Sequence, residues 1–106
     1  MITQFVYPPQ HAGEFELFVL EGTGPASYAS AGDPIVNPGV GEHIYAPIGA
    51  VSLSGTYYVV PQPASAGVLG VVWSWIWFVV ATGVPVAAAT NLSAETVQFG
   101  AIGGQL

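Results

Sequence analysis

Eight side chains of this 106-residue sequence have the chemistry of acid–base groups or metal ligands near neutral pH: His11, His43, Glu14, Glu16, Glu21, Asp33, Glu42 and Glu95. His11 with Glu14 and His43 with Glu42 outline a two-His, two-Glu metal site. However, no H-x-H or H-E-x-x-H spacing gathers the ligands on one face. If residues 42–43 lie in a strand, Glu42 and His43 point to opposite sides. Glu14 and Glu16 would share a strand face, and paired carboxylates serve glycoside hydrolysis only across a pocket of defined width. No G-x-S-x-G elbow is present, and no Lys completes a phosphate-binding loop. Cysteine is absent, which removes thiolate chemistry and disulfides together. The expectation is a non-enzymatic protein with no cofactor and no metal.

Charge narrows the partners. The chain has no Lys or Arg and a formal charge of −6, so it offers nothing to neutralise phosphates, and nucleic acid is excluded as a partner. Hydrophobic residues make up 52% and charged ones 6%, a balance that opposes charge-driven disorder. Five of the six carboxylates, Glu14, Glu16, Glu21, Asp33 and Glu42, fall within residues 14–42. They read either as a solvated surface or as an acidic patch for a basic partner. Without a side-chain cation, any strong ion pair is expected to involve another molecule or a bound ion. The first nine residues have no basic segment followed by an apolar run, so no signal peptide is expected.

The elements that would position these groups are short and β-rich. Residues 2–7 read as a strand or arm halted by Pro8-Pro9. In residues 13–22, Phe15, Leu17 and Val19 form an apolar face, and Glu14, Glu16, Phe18 and Leu20 form a mixed one, as expected for a strand with one side buried and the mixed side partly wet. Residues 22–42 are rich in Gly, Pro, Ala and Ser and read as a long loop, free or laid on a neighbouring subunit. Residues 43–46 and 51–60 are strand candidates, the second ended by Pro61-Gln62-Pro63. Strands are also expected over 67–81, 84–89 and 95–102, the last alternating Val97, Phe99 and Ala101 against Thr96, Gln98 and Gly100. No window has a capped helical period. The fold class is all-β, a small antiparallel sandwich or barrel of one domain (1–106) with an extended N-terminal arm (1–12) and the 22–42 loop.

The most informative segment is residues 71–80. Trp73, Trp75 and Trp77 share one face with Val71 and Val79, while Ser74, Ile76 and Phe78 share the other with Val72 and Val80. Both faces are apolar, so both should be covered. One small sandwich covers only one face of each strand. Either the Trp row is core and the loop caps the other side, or one face, with Tyr57 and Tyr58 nearby, meets another subunit. A Trp73/Trp75/Trp77 platform stacking on sugar rings is a further reading. Residues 64–90 also exceed the length of a membrane span, but the Trp are central, Gly and Pro interrupt the run, and no Lys or Arg sets a topology. A membrane-embedded or membrane-apposed subunit using 66–89 stands as the alternative.

Size, arm-like segments at 2–9 and 22–42, a β-rich middle and the lack of Cys together resemble the capsid decoration or cement proteins of tailed bacteriophages. That resemblance is of general character and carries no residue-by-residue motif. It implies a virion location on the capsid surface and a non-catalytic role in strengthening the shell. It also implies self-association as a dimer or trimer, and a larger partner such as a major capsid protein. The interface would comprise Trp73, Trp75, Trp77, Ile76, Phe78, Tyr57 and Tyr58, with Glu14, Glu16, Glu21, Asp33 and Glu42 facing the partner.

Overall fold

A computed structural model of the chain describes residues 1–39, 42–67 and 70–105. Val40 and Gly41 of the expected 22–42 loop, and Val68 and Leu69 of the expected 66–89 segment, lie outside the described residues. The fold is all-β, with eight strands: β1 (Thr3–Ala12), β2 (Phe15–Thr23), β3 (Asp33–Pro34), β4 (Glu42–Pro47), β5 (Ala50–Val51), β6 (Tyr57–Gly67), β7 (Gly70–Val79) and β8 (Thr96–Gln105). They form two four-stranded antiparallel sheets, β1-β2-β8-β4 and β3-β7-β6-β5.

Residues 3–12 are a paired edge strand of the first sheet and not an extended arm. Pro8 and Pro9 do not end it, because β1 pairs on one side only and its register shifts between Tyr7 and Gln10. At a free edge a missing N–H costs no ladder bond. Pro61 and Pro63 are accommodated likewise: β6 pairs with β7 there, and β5 on its other flank reaches only to Val59. The 51–60 strand is instead broken by a turn at 52–56, with Gly55 at φ +76°. Residues 84–89 form no strand beyond a single bridge from Phe78 to Pro85.

The inner face of the first sheet is set by β8. Val97, Phe99 and Ala101 are buried, and the register places Gly22, Leu20 and Phe18 opposite them. Large faces small across the ladder, and the Phe18 ring lies where any side chain at Gly103 would stand. Phe18 and Leu20 therefore point inward, and Glu16 shares their face at its end, 9% exposed. Phe15, Leu17 and Val19 point out. This inverts the expectation that the purely apolar face of residues 15–19 is the buried one, since in a strand one residue of slip exchanges the faces.

From the second sheet, Val59, Trp75 and Trp77 fill the core, both indoles at 0% exposure. Trp75 meets Phe99 edge-on at 4.9 Å, and Tyr57 meets Trp77 at 6.0 Å. The chain outside the strands completes the core with Tyr28, Ile35, Val86 and Leu92. Residues 24–36 are thus packed on their own domain. Tyr28 N–H donates to Thr90 O, and the Tyr28 hydroxyl accepts from the backbone N–H of Trp77 at 3.2 Å.

Asp33 anchors this segment. Its carboxylate is buried, with Oδ1 2.6 Å from the Met1 α-ammonium and Oδ2 accepting from Trp77 Nε1 at 3.2 Å. The expectation that ion pairs would need another molecule is overturned here by a cation that residue counting omits, the α-amino group. By contrast, the buried Nε1 of Trp75 has no hydrogen-bond partner among the described residues. Replacing Trp77 by Phe leaves one oxygen of a buried carboxylate without its donor, a loss of about 1.5–3 kcal/mol beyond that of ring volume. Trp75→Phe removes similar volume but relieves an unpaired donor, so it is expected to destabilise by about 1–3 kcal/mol less. Urea unfolding followed by the remaining Trp fluorescence compares the two, and equal losses would contradict the Trp77–Asp33 bond.

Candidate docking surface

The interface residues expected from sequence separate into three environments. Trp75 and Trp77 are sealed inside the sandwich, and half-buried Trp73 donates from Nε1 to Tyr45 O at 3.0 Å. Trp75 and Trp77 face the first sheet, so neither indole is open to a second subunit or to a sugar ring in this fold. Tyr57 packs on the same core. Ile76, Phe78 and Tyr58 lie half-buried on the outer face of the second sheet, Tyr58 stacked on Phe78 at 5.0 Å with rings 9° from parallel.

The carboxylates do not gather into a patch. Asp33 is consumed internally, and Glu16 is buried on the inner side of β2. Glu14 is exposed beside the β1–β2 turn, where Gly13 takes φ +68°. Glu42 accepts from Gln105 Nε2 at 3.0 Å, and Glu95 accepts from the Ser54 hydroxyl at 2.7 Å. β4 sets Glu42 and His43 on opposite faces, and His43 lies 3.4 Å from the Asn37 amide. Among the described residues, no group of three or more His, Asp or Glu is placed to hold a metal ion.

Glu21 has the most organised environment. It sits on the outer face between neighbouring strands, with Oε1 accepting from Gln4 at 2.6 Å and Oε2 from Gln98 at 3.2 Å. The Gln4 bond first and the Gln98 bond second hold its pKa below the ordinary value, against a smaller opposing push from desolvation. A carboxylate held ionised suits neither a general acid nor a base poised near neutrality. An open groove of about 300 Å³ beside it is lined by Thr3, Gln4, Glu21, Thr23 and Thr96.

The largest chemical feature was not expected at the surface. Tyr7, Phe15, Leu17, Val19, Ile48 and Ile102 share the outer face of the first sheet, each between 39 and 64% exposed. Tyr7 is opposite Val19, and Leu17 is opposite Ile102. Ile48 lies over Gly100, which is itself opposite Val19. Phe15 meets the Tyr45 ring edge-on at 6.3 Å. Side chains of this size carry roughly 150–250 Å² each, so the six leave about 600 Å² of apolar surface open, at the top of the range for monomers. The signal was present in the sequence: residues 15–20 put large apolar groups on both faces, and a single core takes only one.

No family model, curated protein or solved structure matches the chain.

Acid titration probes the Glu21 cluster. A carboxylate whose folded pKa is depressed stabilises the fold above its unfolded pKa, and that stability is lost as pH falls through the folded value. Glu21→Gln is therefore expected to lower stability at neutral pH and to converge on the parent as pH falls through the folded value, which flattens the acid limb of the stability curve. Urea midpoints measured down through the carboxylate range test this, and a limb identical to the parent's would remove Glu21 from the account.

Proposed function

We propose that this protein is a non-enzymatic structural subunit that works by packing its sheet faces against other proteins. In its most specific form it is a decoration or cement subunit on a viral capsid. The observation that carries the reading is that both outer faces are apolar, on opposite sides of one small sandwich. One face holds Leu17, Val19 and Ile102; the other holds Val60, Val72 and the Tyr58–Phe78 stack. A domain with two such faces can bridge two neighbours, which is what a cementing element must do. The partners this implies are a second copy of the chain and a larger structural protein such as a major capsid protein. The absence of side-chain cations argues against nucleic acid as either.

No helix among the described residues is long and apolar enough to cross a membrane. Residues 70–79, the centre of the alternative membrane segment, are a strand with two indoles directed into the core. Immunogold electron microscopy of purified particles from the source of the gene is the decisive experiment. Labelling spread over the particle surface supports the proposal. Absence from particles overturns its capsid form, and flotation of the protein with phosphatidylcholine vesicles would replace it with a membrane-apposed role.

A further inference from the structure

The two outer faces are not equivalent. On the second sheet the face is interrupted by buried Ser74, and Gly32 and Pro34 are laid beside Ser74 and Ile76. On the first sheet, β2 and β8 pair through eight consecutive positions, from Glu16 opposite Gly103 to Thr23 opposite Thr96. That ladder presents Leu17, Val19 and Ile102 without interruption.

We infer, building on the structural role proposed above, that the outer face of the first sheet packs against the same face of a second copy, forming a two-fold dimer with antiparallel β2 strands. Area supports a like partner. About 600 Å² of apolar surface from six side chains, with the polar rim around them, approaches the roughly 800 Å² that each partner contributes to a stable interface. The geometry is sheet on sheet, the same packing the domain uses internally, with side chains interdigitating across about 10 Å.

The edges leave the face as the route of association. β1 carries Pro8 and Pro9 along its free edge, and β6 carries Pro61 and Pro63 beyond the reach of β5. The other edge strands, β3 and β5, are two residues each, and β4 breaks its register between Ile44 and Ala46. Short, proline-bearing and bulged edges resist strand addition.

The position of Glu21 disfavours the parallel orientation. The central stretch from Phe15 to Val19 has no carboxylate on its outer side, and Glu21 stands at one end of the face. At about 3.4 Å per residue, Glu21 lies about 10 Å from a two-fold centred near residue 18. Antiparallel β2 strands place the two Glu21 side chains about 20 Å apart, beyond the Debye length of about 8 Å at physiological salt. Parallel strands would bring them together at the same end, and like charges juxtaposed in an interface oppose binding.

The net charge gives this dimer a signature. Two copies of charge −6 repel, so screening tightens the dimer, whereas docking on a basic protein would weaken with salt. Sedimentation velocity of the full chain at about 50 μM, in about 20 and about 300 mM NaCl, reads this directly. The expected species is twice the 10.9 kDa chain, and the dimer fraction rises with salt. Leu17→Glu and Ile102→Glu, on adjacent strands, should each weaken the dimer at least about tenfold. Val60→Glu, on the other sheet, should leave it unchanged, and near-ultraviolet circular dichroism of the buried indoles verifies that each variant is folded. A dimer that survives both Leu17→Glu and Ile102→Glu, or that only Val60→Glu disrupts, overturns the inference. So does a parent protein that stays monomeric at both salt concentrations. A monomer that nevertheless labels particle surfaces defeats the dimer and leaves the structural role intact, whereas a monomer absent from particles defeats the dimer and the capsid form of that role.

Discussion

A chain without Lys or Arg must find other partners for every carboxylate it removes from water, and Asp33 shows how that constraint organises the fold. A buried carboxylate is tolerable only if charge and lone pairs are both answered. Here the Met1 ammonium answers the charge on one oxygen, and the Trp77 indole occupies the other. Those two bonds draw the start of β1, the segment leading into β3 and the centre of β7 to one point. Val36 N–H donating to Met1 O and the Thr3 hydroxyl donating to Val36 O hold the same junction. With Asp33 fixed, Tyr28 and Ile35 enter the core, and a Gly/Pro-rich stretch that reads as a loose loop becomes one wall of the sandwich.

At the surface the same shortage is met with neutral donors. Gln4 and Gln98 bracket Glu21, Gln105 reaches Glu42 and Ser54 reaches Glu95. Amides and hydroxyls answer some of the lone pairs but leave the charge, so the molecule remains strongly anionic; Glu42 Oε2 is buried with no hydrogen-bond partner among the described residues. None of these carboxylates lies among the outward Leu17, Val19 and Ile102, and Glu21 stands two residues beyond Val19 on the same face. The apolar face can therefore stay uncharged while the whole chain stays far from neutrality.

The all-β class was legible from the Val-rich, Gly- and Pro-punctuated segments, and β8 was legible down to its inward Val97, Phe99 and Ala101. The twin apolar faces of β7 were legible too, but which of them is internal was not. Trp75 and Trp77 are settled as core by Phe99 and Asp33, residues 24 and 44 positions away in sequence. Prolines misled where the position of a strand in its sheet decides their effect: Pro8, Pro9, Pro61 and Pro63 all sit at free edges, and edge status is a property of topology. β2 misled for a related reason. Its own alternation marks Phe15, Leu17 and Val19 as the cleaner apolar face, and only the register with β8, together with the room above Gly103 for Phe18, turns that face outward. The ion pair was hidden because its cation is the chain terminus.

The outward turn of β2 has a consequence for how stability and association divide between residues. Inverting the strand would bury Phe15, Leu17 and Val19 and expose Phe18, Leu20 and Glu16, which would suit the carboxylate. It would also set Val19 in place of Leu20 near Phe99 and strip the ring that fills the space over Gly103. The observed register keeps the better core and accepts an apolar exterior. Substitutions on the inner side of β2 consequently act on folding, where they leave cavities beside two fully buried indoles. On the proposed dimer, those on the outer side act mainly on association, because the groups they remove touch little within the domain. A strand whose two faces serve different ends in this way explains why residues 15–20 carry five large apolar side chains when one small core has room for two of them.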